Sequence, residues 1–588
     1  MTLRLIVLLI SAGFAVGGCS QSEKPVASVP ADFVLTNGQV KTPDGWATAL
    51  AIANGEIVAV GDDGSVERFV EQGTEVMDLA GSTVLPGFHD MHVHPVFGGM
   101  LYSGADHTNC TIEQGLPLDR LLETLAECVK RVSDDEWVTG GQWDAIALGE
   151  VPHRSHLDSV TGNIPVLIND TSGHSAWANS RALAIAGISG ETADPPGGII
   201  ERDGNGEPTG VLREAGIGMV RQHVPRPTQE IVRQALQWSL DVMLANGITS
   251  FTEASNGFVA GAARELDVYN AIADEGLLKH RVRICLNLGA DNWMPEERDT
   301  ESLIENRNEY VRDRLALDCI KIFLDGVPTD SHTAAMLEPY ADTVEGRDDE
   351  ASRYGMLLAE QDFTNDAVTR FDKEGMTVKF HAAGDAAVRA GLDAIEAARE
   401  ANGMGGPRHD VGHATFIAKD DISRAKPINA TFELSPYLFS PSPINDDITK
   451  AVGEERIFRV WPFREAIDAG ALVVAGSDWA VVPSVNPWLA VEAMVTREEA
   501  GGSERSFGKP QAITIAEAID IFTKNAAQHM GNEDRLGILA SGYLADLIVV
   551  DQNPYEVADT DLHRTKVLMT FINGEKVYDA GDRQVSTR

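Results

Sequence analysis

Positive charge is scarce in this chain of 588 residues. Lys and Arg together number 48 against 89 Asp and Glu, so the formal net charge is -41 at pH 7. Nucleic acid is itself a polyanion and would be repelled by such a surface, which excludes it as an expected partner. The acidic surface is interpreted as a solubility feature, with steering of cationic substrates as the alternative.

Long hydrophobic runs are lacking beyond the N-terminus, so no second membrane span is expected. Residues 1–19 have the pattern of a secretory signal, in which Arg4 supplies positive charge ahead of the apolar run LIVLLISAGFAV. The segment ends in VGGC at Cys19 and resembles a bacterial lipobox, whose cysteine is lipidated; an ordinary cleaved signal is the alternative. Residues 20–30 are polar and are predicted to form a flexible tether. The chain is predicted to be lipid-anchored outside the cytoplasm, on the periplasmic face of a bacterial membrane.

Cysteine is also scarce, with five residues in the whole chain. Use of Cys19 for the anchor leaves four cysteines in an oxidising compartment. Cys110 and Cys128 flank a loop and a helical segment and are predicted to form a disulfide. Cys285 and Cys319 lie in apolar strand-like runs and are predicted to be buried free thiols.

The stretch 84–94, VLPGFHDMHVH, carries the first chemical motif. Because a strand alternates faces at every residue, Asp90, His92 and His94 would share one face. Two imidazoles spaced two residues apart on a strand can bind one metal ion. Four further potential ligands each end a short β-like apolar run: Lys321 in CIKIFLDG, His381 in TVKFHAAGD, His413 in DVGHATF and Asp478 in LVVAGSDWAV.

These runs belong to a series of eight strand-like segments separated by segments with helical apolar spacing. Eight such units predict a (β/α)8 TIM barrel, in which the C-terminal strand ends carry the chemistry. All six potential ligands would then meet at one mouth. Imidazole and carboxylate ligands suit zinc and related divalent ions, with manganese and iron also open.

The two ends of the chain share a different sequence pattern. Short strand-like runs of alternating polarity are joined by Asn-Gly turns, which is typical of hairpins. Residues 31–83 and 531–588 are therefore predicted to share one small β-sandwich domain. The barrel would occupy residues 84–530. Residues 96–226, richer in Gly and Pro, are predicted to form a subdomain inserted after the first barrel strand.

The ordered series H-x-H, Lys, His, His, Asp, opened by PGFHDMHVHP and closed by GSDWAV, resembles the metal-dependent amidohydrolase superfamily. The segments KIFLDGVPTD, HAAGD, HSAWANS and GYLADLIVVD resemble amidohydrolase family 3, which includes N-substituted formamide deformylases. The likeness runs from about Phe33 to Tyr578. It implies the barrel fold, a sandwich built from both termini, and metal-dependent hydrolysis.

On this resemblance His92 and His94 would hold one zinc ion, and His381 and His413 a second. Asp478 would touch the first ion and act as the catalytic proton acceptor. An ammonium cannot be a metal ligand, and the resemblance implies that Lys321 is carboxylated to a bridging carbamate. The alternative is an unmodified Lys321 paired with Asp325 and a single metal ion.

Five residues are candidates to contact the substrate. Trp143, His174, Trp177 and Asn179 lie in the inserted segment, where the alternative is that they form its core, and His332 follows Lys321 in TDSHTAAM. Glu214 and Glu253 could orient a ligand histidine or bind substrate.

The sequence therefore predicts a hydrolase of a carbon-nitrogen bond other than a peptide bond, acting on a small amide or an N-formyl or N-acyl amine through metal-activated water. A lactone or ester hydrolase on the same site is the alternative within enzymes. A surface binding protein that has lost catalysis is the alternative from another class, and the presence of all six ligands argues against it.

Overall fold

The structure is a computed structural model that describes residues 30–289, 300–343 and 349–581. The predicted signal, the lipidation site at Cys19 and the tether up to residue 29 lie outside the described residues. In the part of the chain that is described, no helix has the length and apolar character needed to cross a bilayer.

Eight parallel strands form the central sheet, and they are the eight segments predicted from the sequence, with their order in the sheet following their order along the chain. They are Phe88–Val93, Ile248–Asn256, Arg281–Asn287, Leu315–Phe323, Thr377–Ala382, His409–His413, Ala430–Leu434 and Leu472–Ala475. The sheet closes because the segment after the eighth strand returns to the first: the Asp478 N–H donates to the His92 carbonyl and the His94 N–H to the Trp479 carbonyl, both at 2.7 Å. The predicted barrel is confirmed.

Helices cover the outside of this barrel. Gln229–Ala245 shows why they form: the Thr228 side chain caps its first turn by accepting from the Ile231 N–H, and its buried residues recur every three or four positions. The other helices of the barrel domain, on its outside or at its mouth, are Pro95–Tyr102, Ala262–Asp274, Thr300–Glu305, Glu350–Tyr354, Gln361–Lys373, Asp385–Asn402, Lys419–Ile422, Pro443–Val452, Glu454–Ile457, Phe463–Asp468, Pro487–Thr496, Ile515–Phe522 and Lys524–His529.

Both ends of the chain build two smaller sheets that share an apolar core. The six-stranded sheet contains Gln39–Thr42, Gly45–Ala47, Thr83–Pro86, Leu547–Val550, Val567–Ile572 and Glu575–Asp579, and the four-stranded sheet contains Phe33–Thr36, Ala49–Ala53, Glu56–Gly61 and Glu75–Asp78. Thr83–Pro86 pairs antiparallel with Leu547–Val550, which joins the two termini. The chain passes into the barrel at Gly87, where a Cβ atom would lie 2.3 Å from Thr249 Cγ2.

The inserted segment forms a six-stranded sheet with its own core. Its strands are Asn109–Thr111, Thr139–Trp143, Leu167–Asp170, Ser175–Ala178, Gly198–Arg202 and Pro208–Glu214, and its helices are Leu118–Val129, Ala145–Leu148, Arg154–Thr161, Ser180–Ala186 and Ala215–Arg221. The predicted Cys110–Cys128 disulfide is confirmed and ties the first strand to the first of these helices.

The prediction of free thiols at Cys285 and Cys319 was wrong. These residues lie directly opposite each other on the third and fourth barrel strands and form a disulfide, with their Cα atoms 4.2 Å apart. Each run looked like an ordinary apolar strand. The two cysteines are neighbours because of the register in which the two strands pair, and that register cannot be predicted from either run alone.

Candidate active site

All six predicted ligands line one pocket at the C-terminal ends of the barrel strands: His92, His94, Lys321, His381, His413 and Asp478. They come from the first, fourth, fifth, sixth and eighth strands or from the residues that follow them. The convergence arises because every parallel strand ends at the same rim of the barrel.

His92, His94 and Asp478 form the tightest group. Asp478 Oδ1 lies 3.3 Å from His94 Nε2 and 3.6 Å from His92 Nε2. One potential ligand atom from each of the three residues falls within 4.8 Å of the others. Burial acts to raise the pKa of Asp478, but the hydrogen bond with His94 and the nearby positive charges hold that pKa below its usual value. Two imidazoles and an ionised carboxylate are a donor set that fits zinc.

His381 and His413 stand beside this group. Their ring centroids are 4.4 Å apart, and the His413 ring is 4.7 Å from that of His92. His413 and Asp478 both have left-handed backbone conformations, with φ of 66° and 58°. Such conformations are costly in residues other than glycine and tend to occur at functional sites. The four imidazoles therefore form one connected group in the pocket.

A polar group lies behind each of these imidazoles, and His92, His381 and His413 are hydrogen-bonded to it through Nδ1. The Nδ1 contacts are His92 with Glu433 at 2.7 Å, His94 with Glu253 at 3.4 Å, His381 with Asp325 at 3.2 Å, and His413 with the Ser435 hydroxyl at 3.2 Å. An Nδ1 engaged in this way orients the ring and makes Nε2 a better donor to metal. Glu253 lies beside His94 without a hydrogen bond to it among the described residues, so its two predicted roles stay predictions.

Glu433 was not predicted from the sequence, and Asp325 was predicted only as a partner of Lys321. Glu433 lies in the apolar run ATFEL and is fully buried in the seventh barrel strand. A charged residue inside a buried strand is rarely tolerated without a partner, and that was the available signal.

Lys321 is buried beside the ligand histidines, and its Nζ lies 5.1 Å from the centre of the Phe323 ring. Burial, together with the positive charge of Lys379, lowers the pKa of Lys321 to about 7. Asp325 instead binds His381 and accepts from the backbone N–H groups of Ala383 and Gly384. Within the described ranges Lys321 has no ion pair, so the predicted alternative of a Lys321–Asp325 pair is not what the structure contains.

Of the five predicted substrate contacts, only His174 lines the pocket. Its Nδ1 lies 2.8 Å from Glu214 Oε2, and its ring is 4.6 Å from that of His381. The inserted subdomain thus supplies one wall of the site, through the turn that carries Ser172, Gly173 and His174.

The structure corrects the other four. Trp143 and Trp177 pack edge to face in the core of the inserted subdomain, and the Trp143 indole N–H donates to the Ile168 carbonyl. Asn179 caps the helix Ser180–Ala186 by accepting from the Ala182 N–H.

His332 is the last of these corrections. It stacks on Tyr340 with ring centroids 4.0 Å apart and contacts Asp342 through Nε2 at 2.7 Å. None of these four side chains lines the pocket.

The rest of the pocket wall is largely apolar. It includes Phe97, Phe258, Leu438, Ile444, Ile448 and Trp461. Among the lining residues that the structure describes, Lys321 is the only lysine and none is arginine. The site therefore combines a polar floor of imidazoles and one carboxylate with apolar sides.

Comparison with known proteins agrees with this geometry. The sequence model of the Amidohydrolase family matches residues 75–578. The chain is 29% identical over 570 residues to protein LONG AFTER FAR-RED 3 of Arabidopsis thaliana, covering 95% of this chain and 93% of that protein. It is 26% identical over 565 residues to N-substituted formamide deformylase of Arthrobacter pascens, covering 93% and 98%. Among solved structures, a metal-dependent hydrolase from Pyrococcus horikoshii OT3 has the same fold, with a TM-score of 0.67 and 24% identity over 90% of this chain and 99% of that one.

Proposed function

This chain belongs to the amidohydrolase family, and from that premise we propose that it hydrolyses an uncharged amide, an N-formyl or N-acyl amine with an apolar substituent. The observation that carries the proposal is the convergence of four histidines, Lys321 and Asp478 at one end of the barrel. Metal-dependent hydrolysis of carbon-nitrogen bonds is the chemistry of the family.

The residues present fit a pair of divalent ions. His92, His94 and Asp478 would hold one ion, and His381 and His413 the other. Lys321, carboxylated by carbon dioxide, would join the two sites. The lowered pKa of Lys321 supports this, because burial favours the neutral amine, which is the form that reacts with carbon dioxide. Imidazole and carboxylate ligands favour zinc.

Proton transfer falls to Asp478. A divalent ion held by these residues would supply the Lewis acidity that lowers the pKa of water and polarises the substrate carbonyl. Asp478 is the only carboxylate among the described lining residues, and its low pKa keeps it ionised and ready to accept the proton of the attacking water. It then passes that proton to the leaving nitrogen, since an amide nitrogen leaves poorly without one.

The apolar walls support a substrate without charge. A carboxylate on the substrate would need a cationic partner to offset its desolvation, and the described wall offers none beyond Lys321. The likeness to N-substituted formamide deformylase points to the same class of neutral N-substituted amides.

The proposed location is outside the cytoplasm, with a lipid anchor at Cys19. Two disulfides in the described residues support export, because disulfides persist in oxidising compartments.

Turnover of matched substrates tests the proposed activity. The zinc-loaded full chain is assayed with an N-formyl amine and an N-acyl amine that carry an aryl group, with a carboxylate-bearing analogue, and with a lactone. We expect the neutral amides to be hydrolysed fastest and a chelator to abolish turnover. Preference for the lactone would favour an ester hydrolase, and no turnover after metal loading would contradict the enzyme assignment.

A further inference from the structure

His174 reaches the pocket from the inserted subdomain on a tightly organised turn. The Asp170 carboxylate accepts from the Ser172 hydroxyl at 2.7 Å and from the Ser175 N–H at 3.1 Å. The Ser172 hydroxyl in turn accepts from the His174 N–H at 3.1 Å, and Gly173 takes the left-handed conformation that the turn needs, with φ of 75°. The turn is therefore held in place by its own hydrogen bonds.

Glu214 lies behind the His174 ring and is fully buried. Its backbone φ is 49°, a left-handed conformation that costs energy for a residue with a side chain. One carboxylate oxygen binds His174 Nδ1, and the other, Oε1, has no hydrogen-bond partner among the described residues. Gly326 makes room for this carboxylate, since a Cβ there would lie 2.0 Å from Oε1. A buried carboxylate held in this way needs a reason beyond stability.

The Glu214–His174 pair repeats the arrangement of His92 and His381, in which a buried carboxylate engages Nδ1 and directs the opposite ring edge to the pocket. Its position differs, however. The tight ligand group consists of His92, His94 and Asp478, whereas His174 lies on a subdomain turn beside His381. Such a position suits contact with substrate.

We propose that His174 is a catalytic residue whose imidazolium donates through Nδ1 to Glu214 and through Nε2 to the oxygen of the scissile carbonyl, and that Glu214 is its positioning residue. The inference rests on the proposed hydrolysis and deepens it, because it makes the inserted subdomain part of the catalytic site. A donor aimed at this oxygen acts most strongly in the transition state, where negative charge develops.

The test uses His174→Ala, His174→Gln and Glu214→Gln in the metal-loaded full chain, with an amide and an ester that share one acyl group. Loss of a single oxyanion donor lowers kcat about 10²–10³-fold, and we expect this for His174→Ala on both substrates with little change in KM. His174→Gln keeps an N–H donor and should recover part of the loss. Glu214→Gln should cost about 10–100-fold.

Glu492→Gln and His563→Gln are matched controls. His563 Nδ1 contacts the buried Glu492 carboxylate at 2.7 Å, but neither residue lines the pocket. These variants should keep wild-type kinetics. Metal content and the thermal unfolding midpoint are measured for every variant, so that misfolding or loss of metal is recognised.

Each outcome decides the proposal. A His174→Ala enzyme within about threefold of wild type on both substrates would overturn it, and so would a loss of metal, which would make His174 a ligand. A loss confined to the amide would place the contact on nitrogen and also overturn it. If the wild-type chain hydrolyses neither substrate, the proposed function itself fails, which is a separate result.

Discussion

Replacement of Glu433 by Gln tests whether buried carboxylates tune the metal site. Glu433 Oε2 contacts His92 Nδ1 at 2.7 Å and accepts from Lys379 Nζ at 3.2 Å. Lys379 also donates to Asp410 at 2.9 Å. An amide oxygen can keep the contact with His92, but it lacks the negative charge that makes the imidazole a stronger ligand. The variant therefore changes the basicity of His92 with little change in shape.

The expected result is weaker metal binding. Loss of such an outer carboxylate typically costs 10–100-fold in metal affinity, which corresponds to about 1.4–2.7 kcal/mol. Competition against a chromogenic zinc chelator measures the affinity directly. Turnover should fall when metal is limiting and recover when excess zinc restores occupancy of the site.

The control is Glu492→Gln, which removes a similar carboxylate from a histidine outside the pocket. It should leave zinc affinity unchanged. Equal zinc affinity in wild type and in a folded Glu433→Gln variant would refute the argument, since His92 would then not depend on its buried carboxylate.

Four further results are expected. Asp478→Asn should keep most of its metal and lose about 10²–10⁴-fold in kcat, measured beside metal content; normal turnover would remove the proton-transfer role. Because burial lowers the pKa of Lys321 and only the neutral amine takes up carbon dioxide, bicarbonate-dependent reconstitution with zinc should rise with pH and level off below the pH at which an ordinary lysine titrates; a flat profile would contradict the carbamate. Alkylation of the denatured, unreduced protein should not label Cys285 or Cys319, and their replacement by Ser should cost roughly 3–4 kcal/mol of stability, seen as a lower unfolding midpoint. Cys19→Ser should release the protein from membranes into the soluble fraction; retention there would argue against the lipid anchor.

The barrel could be predicted because its signals are local. Each strand is a short apolar run, and the ligands stand at the ends of those runs, so strand identity and the side of the barrel follow from a few neighbouring residues. The ligand candidates His92 and Asp478 are 386 positions apart in the chain, yet their place at the rim follows from their own strands. The Cys110–Cys128 disulfide could also be predicted from local sequence, since only a loop and one helical segment separate the two cysteines.

The substrate contacts were harder to predict because tryptophan and asparagine serve a core as readily as a pocket. Trp177 and His174 lie three residues apart, but the Trp177 side chain faces the core of the subdomain and that of His174 faces the barrel mouth. Only the orientation of the inserted sheet against the barrel distinguishes them. Asn179 likewise has a polar side chain of the kind that binds ligands, but in the structure that side chain caps a helix.

The sequence by itself determined the fold class, the order of the ligands and the chemical family. Strand periodicity and ligand residue types can both be recognised within short stretches of neighbouring residues. The tertiary structure alone decided which groups stand behind those ligands. Glu433 meets His92 across 341 residues, and Cys285 meets Cys319 through the register of two strands. These pairings depend on how strands align after the barrel closes, and no local run of sequence contains that information.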